Sequence, residues 1–420
     1  GLLRSSLIKV NNQSDILTTG KNSAGMILQS IGGGGGLSSY AGGSIYLGSQ
    51  DGEGVLSSGG MVVDNDAEIR TIDDSSAGIA ALTIGGGGGF ISGSNNKVAD
   101  LIRLGGSGNQ IGISKISEVR VSKNSVISTK GHNSPGVLAQ SVGGGGGYTN
   151  QSAKVVSLGQ IGGFGEGGDV SVINHGRIST SGRRSIGVVA QSIGAGGGTA
   201  DESTERLWMG ARGGARGSAG NVSVKNTKGV ITTSGNHSIA VVAQSVGGGG
   251  GRLSTASGDV QLGASGGSGD GGEVTLANID GIISTTGAFS PPYLMQSVGG
   301  GGGHVASAGD VIAIDTTVML GGGIDGTEGN GGQLKLLNYS GVIESQGKFS
   351  PGVIHQSIGG GGGWLGDMPA GTLSMGGLTT GPSSGSDLNL RLPLSVQTGA
   401  AHSPGVLVQS LGAGGGVAGR

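Results

Sequence analysis

Five carboxylates crowd one stretch of the chain, Asp64, Asp66, Glu68, Asp73 and Asp74, in its most divergent part. Two of them held about 5 to 9.5 Å apart could serve as acid and base on a glycosidic bond. The plainer reading, preferred here, is an exposed charged stripe that discourages lateral aggregation. Gly266 to Glu273 and Gly162 to Asp169 approach the glycine- and aspartate-rich nonapeptide that binds calcium in some β-rolls. The acidic residue is out of place and the nine-residue tandem is missing, so solvated turns are expected and no cofactor. Gly20-Lys21 and Gly347-Lys348 are followed by Asn and Phe, so neither is a phosphate-binding loop. His132, His237 and His402 fall near one corner without forming a close ligand set. Ser185 and its counterparts have no His and acid recurring beside them, which makes them corner residues rather than nucleophiles.

These residues must be positioned by something repetitive. Eight times an apolar strand ends in a near-constant word and enters five small residues, almost all glycine. The words begin at Gln29, Leu82, Gln140, Gln191, Gln244, Gln296, Gln356 and Gln409, so one unit of 51 to 60 residues fills residues 1–420 as a single repeat domain. The sequence starts and stops in mid-repeat and reads as a segment of a longer protein. Glycine supplies 101 of 420 residues and charged residues only 12%, which is not the composition of a globular enzyme. Hydrophobics at 34% nevertheless supply the apolar surface that a disordered chain lacks. With a formal charge of −2 and no basic block, no nucleic acid is expected as a partner. Cysteine is absent, which suits a chain that crosses an oxidising compartment unfolded.

Residues 169 to 221 show the unit. Asp169 to Asn174 alternates with period two, a turn follows at Asn174-His175-Gly176, and Arg177 to Gly182 and Ser185 to Ile193 read as further strands. A variable loop then leads to a fourth apolar piece, Leu207 to Gly210. Such short strands cannot bury a face alone. Stacked as a right-handed parallel β-solenoid of eight repeats they can, each bonding to its counterpart above and below. The sequence leaves open whether a repeat makes one coil or two.

Asn12, Asn65, Asn174, Asn226, Asn278 and Asn338 share one corner, with Asn124 there or one position displaced. They form either an axial amide ladder or left-handed turn residues. Gln29, Gln140, Gln191, Gln244, Gln296, Gln356 and Gln409 behave similarly, and Leu82 in their place argues for tight packing rather than chemistry. Thr18, Thr71, Thr129, Thr180, Thr233 and Thr285 share a strand face with isoleucines, so they should pack inward or at a corner instead of forming a flat ice-binding array. The glycine blocks, led by Gly32, Gly143, Gly247, Gly299 and Gly359, should lie at close range against each other or a neighbouring sheet, forming with the later Gly-Gly runs a thin flange. Ala195 and Ala413 replace the second glycine, which predicts room for a methyl and negative φ there.

The run from Val170 to Ser192, and less strictly Val119 to Ser141, resembles the passenger repeats of bacterial autotransporters and related type V secreted adhesins. The Gln-Ser-Ile/Val-Gly-rich word is similar to that of the large glycine-rich autotransporter proteins of Gram-negative bacteria. The resemblance implies export across the outer membrane, extracellular or cell-surface display, and attachment through a C-terminal outer-membrane β-barrel that this sequence does not include. The expected function is a non-enzymatic adhesin stalk or fibre, with loops such as Asp201 to Arg216 and Val305 to Thr316 presenting repeated contacts. Expected partners are further copies of the chain, host or neighbouring cell surfaces, or extracellular matrix. The alternatives are an end-to-end self-assembling filament subunit and a β-helical polysaccharide-active enzyme.

Overall fold

The computed structural model describes residues 2–39, 42–49, 53–93, 98–108, 110–159, 164–210, 216–263, 266–308, 316–321, 328–368, 370–376, 382–392 and 395–419. Among them there is no helix, and every strand pairing in the sheets is parallel. The chain is a parallel β-solenoid with one coil per repeat. Gln140 lies beside Gln191 and Asn12 beside Asn65, so each strand pairs with its counterpart one repeat away.

Coil three shows the path. Ser117–Val121, Val126–Thr129 and Val137–Val142 form three sides. Gly146–Thr149 and Ala153–Leu158 form two arms beyond them, and Phe164–Glu166 returns the chain. Strands of the first three kinds stack into three eight-stranded sheets, and the two arms share a 14-stranded one. At about 4.8 Å between paired strands, eight coils rise about 38 Å.

The period-two pattern places Val119, Val121, Ile127, Val137 and Ala139 in one core inside the three sheets. A second core lies between the arms, with Ile102, Leu104, Val156 and Leu158. The third strand serves both sides, because its other face (Leu138, Val189, Leu294) packs on Phe90, Tyr148 and Trp364 of the first arm. That double burial explains why Val137–Val142 is buried at every position, without alternation.

The glycine block is the waist between these cores. Gly32, Gly143, Gly247, Gly299 and Gly359 end the third strand against returning backbone; a Cβ on Gly143 would sit 2.4 Å from the Glu166 nitrogen. The fourth and fifth glycines already belong to the first arm. A Cβ on Gly250, at φ 138°, would stand 2.0 Å from the Gly302 carbonyl oxygen. Successive blocks bond along the axis, as from Gly86 nitrogen to Gly143 oxygen at 2.8 Å. They also bond across the waist, as from Gly248 nitrogen to Gly217 oxygen at 2.9 Å.

Three expectations are corrected. The glycines form no thin flange, since the arms they open enclose a core of their own. Ala195 has φ 38°, not negative, because the second residue is the pivot of the turn there, as Gly248, Gly300 and Gly360 are at 71°, 77° and 75°. The loops expected at Asp201 to Arg216 and Val305 to Thr316 begin as strand, Gly197–Met209 and Gly302–Ala308. Residues 211–215 and 309–315 lie outside the described residues.

Candidate functional site

The repeated polar residues line up along the axis. Nε2 of each glutamine donates to Oε1 of the next, from Gln140 to Gln191 at 2.6 Å, from Gln296 to Gln356 at 2.6 Å and from Gln356 to Gln409 at 2.8 Å. The same bond joins Gln191 to Gln244 and Gln244 to Gln296. Gln29 is cut off from this column by Leu82, which pairs in register with both Gln29 and Gln140. Gln140 Oε1 is accordingly buried with no hydrogen-bond partner among the described residues.

The asparagines form the axial ladder and are not left-handed turn residues: Asn12, Asn65, Asn174, Asn226 and Asn278 lie within strands and none has a positive φ. Asn12, Asn174 and Asn226 donate to Asn65, Asn226 and Asn278 at 2.7, 2.8 and 2.9 Å. Asn65 and Asn226 also donate to their own turns, at the Ala67 and Gly229 carbonyls. Asn338 is in register with Asn278, and its side chain lies outside the described residues. Asn124 is not in the column: Val121 stands opposite Asn65 and Asn174, and Asn124 lies in the longer turn beyond.

Ser185 and its counterparts are corner residues, as expected; that they and the serine of the repeat word form axial columns was not foreseen. Backbone N–H groups of Ser23, Ser76, Ser134, Ser185, Ser238, Ser290 and Ser350 each donate to the serine hydroxyl one coil on, at 2.8 to 3.0 Å. Thr18, Thr71 and Thr129 clasp the same corner through Ser23, Ser76 and Ser134 carbonyls at 2.6 Å, so the threonines are corner residues, buried at Thr71 and Thr129 and half-buried at Thr18 in the end coil. The serine of the repeat word ties the third sheet to the return: Ser245 Oγ donates to Gly220 oxygen at 2.8 Å and accepts from Gly272 nitrogen at 2.7 Å. The constancy of Ser before Gly-Val or Pro-Gly was the available signal.

The carboxylates of coil two are engaged in pairs and turns. Asp64 meets Arg120 at 3.3 Å, Glu68 meets Arg70 at 3.0 Å and Asp66 accepts from Ser122. Asp73 accepts from Asp74 nitrogen, and Asp74 from His132 nitrogen. In the calcium-like run, Asp270 accepts from Asn330 nitrogen at 2.7 Å. Glu273 takes Lys335 at 2.8 Å, and this hydrogen bond holds its carboxyl below the usual range. Gly162 lies outside the described residues. Among the described residues no group of three His, Cys, Asp or Glu converges on a metal position.

The corner that carries His132 separates the two halves of the stack. The residue after it is left-handed in every coil: Asn22, Ser75, Asn133 and Arg184, then His237, Phe289, Phe349 and His402. The last four rings stack with centroids 4.7 to 4.9 Å apart. Beside the first four runs a polar cleft of about 450 Å³, whose far bank includes Asn150, Gln151, Asp201 and Glu202.

Behind that bank is a buried ionic cluster that was not anticipated from the repeat pattern. Tyr148 donates to Asp201 at 2.7 Å, and Ser254 donates to the other carboxylate oxygen at 3.2 Å. Arg252 and His304 follow in register, fully buried, with Trp364 stacked on His304 at 4.9 Å. Desolvation pushes the Asp201 carboxyl up to about 6 against the opposing pull of Arg252, and pushes the Arg252 guanidinium and His304 imidazole down. Its one signal was a charged residue directly after a glycine block, where other coils carry Phe90 or Trp364.

No family model matches this chain, and comparison with curated proteins and with solved structures finds no match either.

Proposed function

We propose that the chain is a stiff, non-enzymatic segment of an exported bacterial surface protein of autotransporter type, acting as an adhesin stalk or fibre. The observation that carries this reading is the axial glutamine column, continuous from Gln140 to Gln409, within a stack whose register is kept coil after coil. Hydrogen bonds that all run along one axis resist extension together, and near-identical coils offer the same contacts repeatedly. The absence of cysteine suits transit of an unfolded chain through an oxidising compartment. The carboxylates that could have supported hydrolysis are instead held by Arg120, Arg70 and Ser122, a reason to prefer a structural role.

The test is protease shaving of intact bacteria that produce the full-length protein. Display predicts that this segment is released or degraded while the cells stay sealed. A segment that is cut only after lysis would overturn the proposal.

A further inference from the structure

We propose that the corner of coils three to five is a binding notch for an acidic saccharide, a sugar unit bearing carboxylate or sulfate within a longer polymer. The notch comes from unequal turns. Four residues separate Val121 from Val126 in coil three, whereas two separate their partners Asn174 and Arg177 in coil four, and three separate Asn226 and Val230 in coil five. The short middle turn leaves a depression of about 700 Å³ between its longer neighbours.

Cations gather in it. Lys123, Arg177 and Lys228 come from three successive coils, with exposed His175 beside them. Some surface cations elsewhere are paired, as in Lys154–Asp100 and Lys335–Glu273, and others, such as Lys9 and Lys225, stand alone among the described residues. Lys123, Arg177 and Lys228 make no ion pair or side-chain hydrogen bond among the described residues, and no carboxylate lines the notch. Asp66 and Asp280, in the adjoining turns, stay outside its lining. Three like charges one coil apart repel, and an anion seated among them relieves that repulsion.

The remaining lining favours a sugar over other anions. Val126 and Val230 offer apolar surface for the C–H face of a ring, and Asn124 offers an amide. The notch spans only about 10 Å of the axis, by coil spacing. It is therefore too short for the basic track a nucleic-acid duplex requires, and too recessed for a flat bilayer.

This inference rests on reading the solenoid as a contact-making surface element, but its test uses the purified chain, so its failure leaves the display question untouched. Binding is measured to immobilised polygalacturonate, dextran sulfate and neutral dextran, and to vesicles of anionic phospholipid. At least one acidic polymer should bind tenfold or more tightly than dextran, and which one identifies carboxylate or sulfate as the recognised group. The triple variant K123Q/R177Q/K228Q should lose tenfold or more, and Arg177→Gln alone at least threefold, with melting temperature unchanged. The control K9Q/K348Q should bind as the unaltered chain does. Equal binding by the triple variant, no preference over dextran, or binding to vesicles in preference to both acidic polymers would overturn the proposal.

Discussion

From Gln140 to Gln409 the amide column is continuous, whereas the two N-terminal coils share none of it: Leu82 intervenes, and among the described residues Gln29 donates to its own Gly36 carbonyl alone, at 3.5 Å. The corner column divides in the same sense. Coils five to eight stack rings from His237 to His402, and coils one to four carry Asn22, Ser75, Asn133 and Arg184 beside an open cleft. A residue in a solenoid is judged by its counterpart one repeat away more than by its sequence neighbours. Where the two match, the column closes on itself. Where they differ, a buried group is orphaned, as at Gln140 Oε1, or a cleft opens.

The largest effect should follow from giving the intact column the N-terminal defect. Gln244→Leu leaves Gln191 without its acceptor and Gln296 without its donor, both fully buried. Two orphaned groups should cost about 2 to 5 kcal/mol in denaturant titration. A loss under about 1 kcal/mol would mean the column adds little to pairing of the backbone.

Next is the acid response of the C-terminal core. Ala81, Ala139, Ala190 and Ala243 occupy a position where coils six and seven carry Met295 and His355. Burial holds the His355 imidazole down to about 4. Because its folded value lies below the unfolded one, its contribution is complete above about pH 6.5 and is lost as pH falls toward 4. His355→Leu should therefore flatten the fall in stability between those values by about 3 kcal/mol. Asp201 has the opposite sign: its value is raised to about 6, so it favours the fold below the ordinary carboxylate range and ceases to as pH rises through 6. Asp201→Asn should remove that second slope in the same melting series.

Phe289→Ser gives the ring corner the character of coil two, removing contacts to His237 and Phe349. About 2 kcal/mol should be lost, with exchange of backbone amides rising near coils five to seven. The smallest effect is a gain. Leu82→Gln supplies a donor to Gln140 Oε1 and an acceptor for Gln29, extending the column by two coils for about 1 kcal/mol of added stability.

The repeat length, the glutamine and asparagine columns and the inward threonines were legible because each is a matter of side-chain identity at a fixed period. Coil number became evident only when Gln140 stood beside Gln191, since a period fixes no coil size. The first arm was missed because its opening residues, such as Gly197 and Gly198, carry no strand propensity and extend only through pairing with Gly250 and Gly251. Asn124 misled because two added turn residues in coil three shift it off the corner, which Val121 fills. The basic notch was invisible for the same reason: it arises from a difference between turn lengths, and composition showed only scattered cations.

Because the chain has no cysteine, the stack can be measured with two introduced labels. Lys130 and Gln346 each follow the inward residue of the second strand, Thr129 and Ser345, which stand four coils apart in register. Spin labels on K130C/Q346C should show one narrow backbone separation of about 19 Å, four spacings of about 4.8 Å. A separation near 38 Å would require two coils per repeat, and a broad distribution would require that the register is not kept; either contradicts the account.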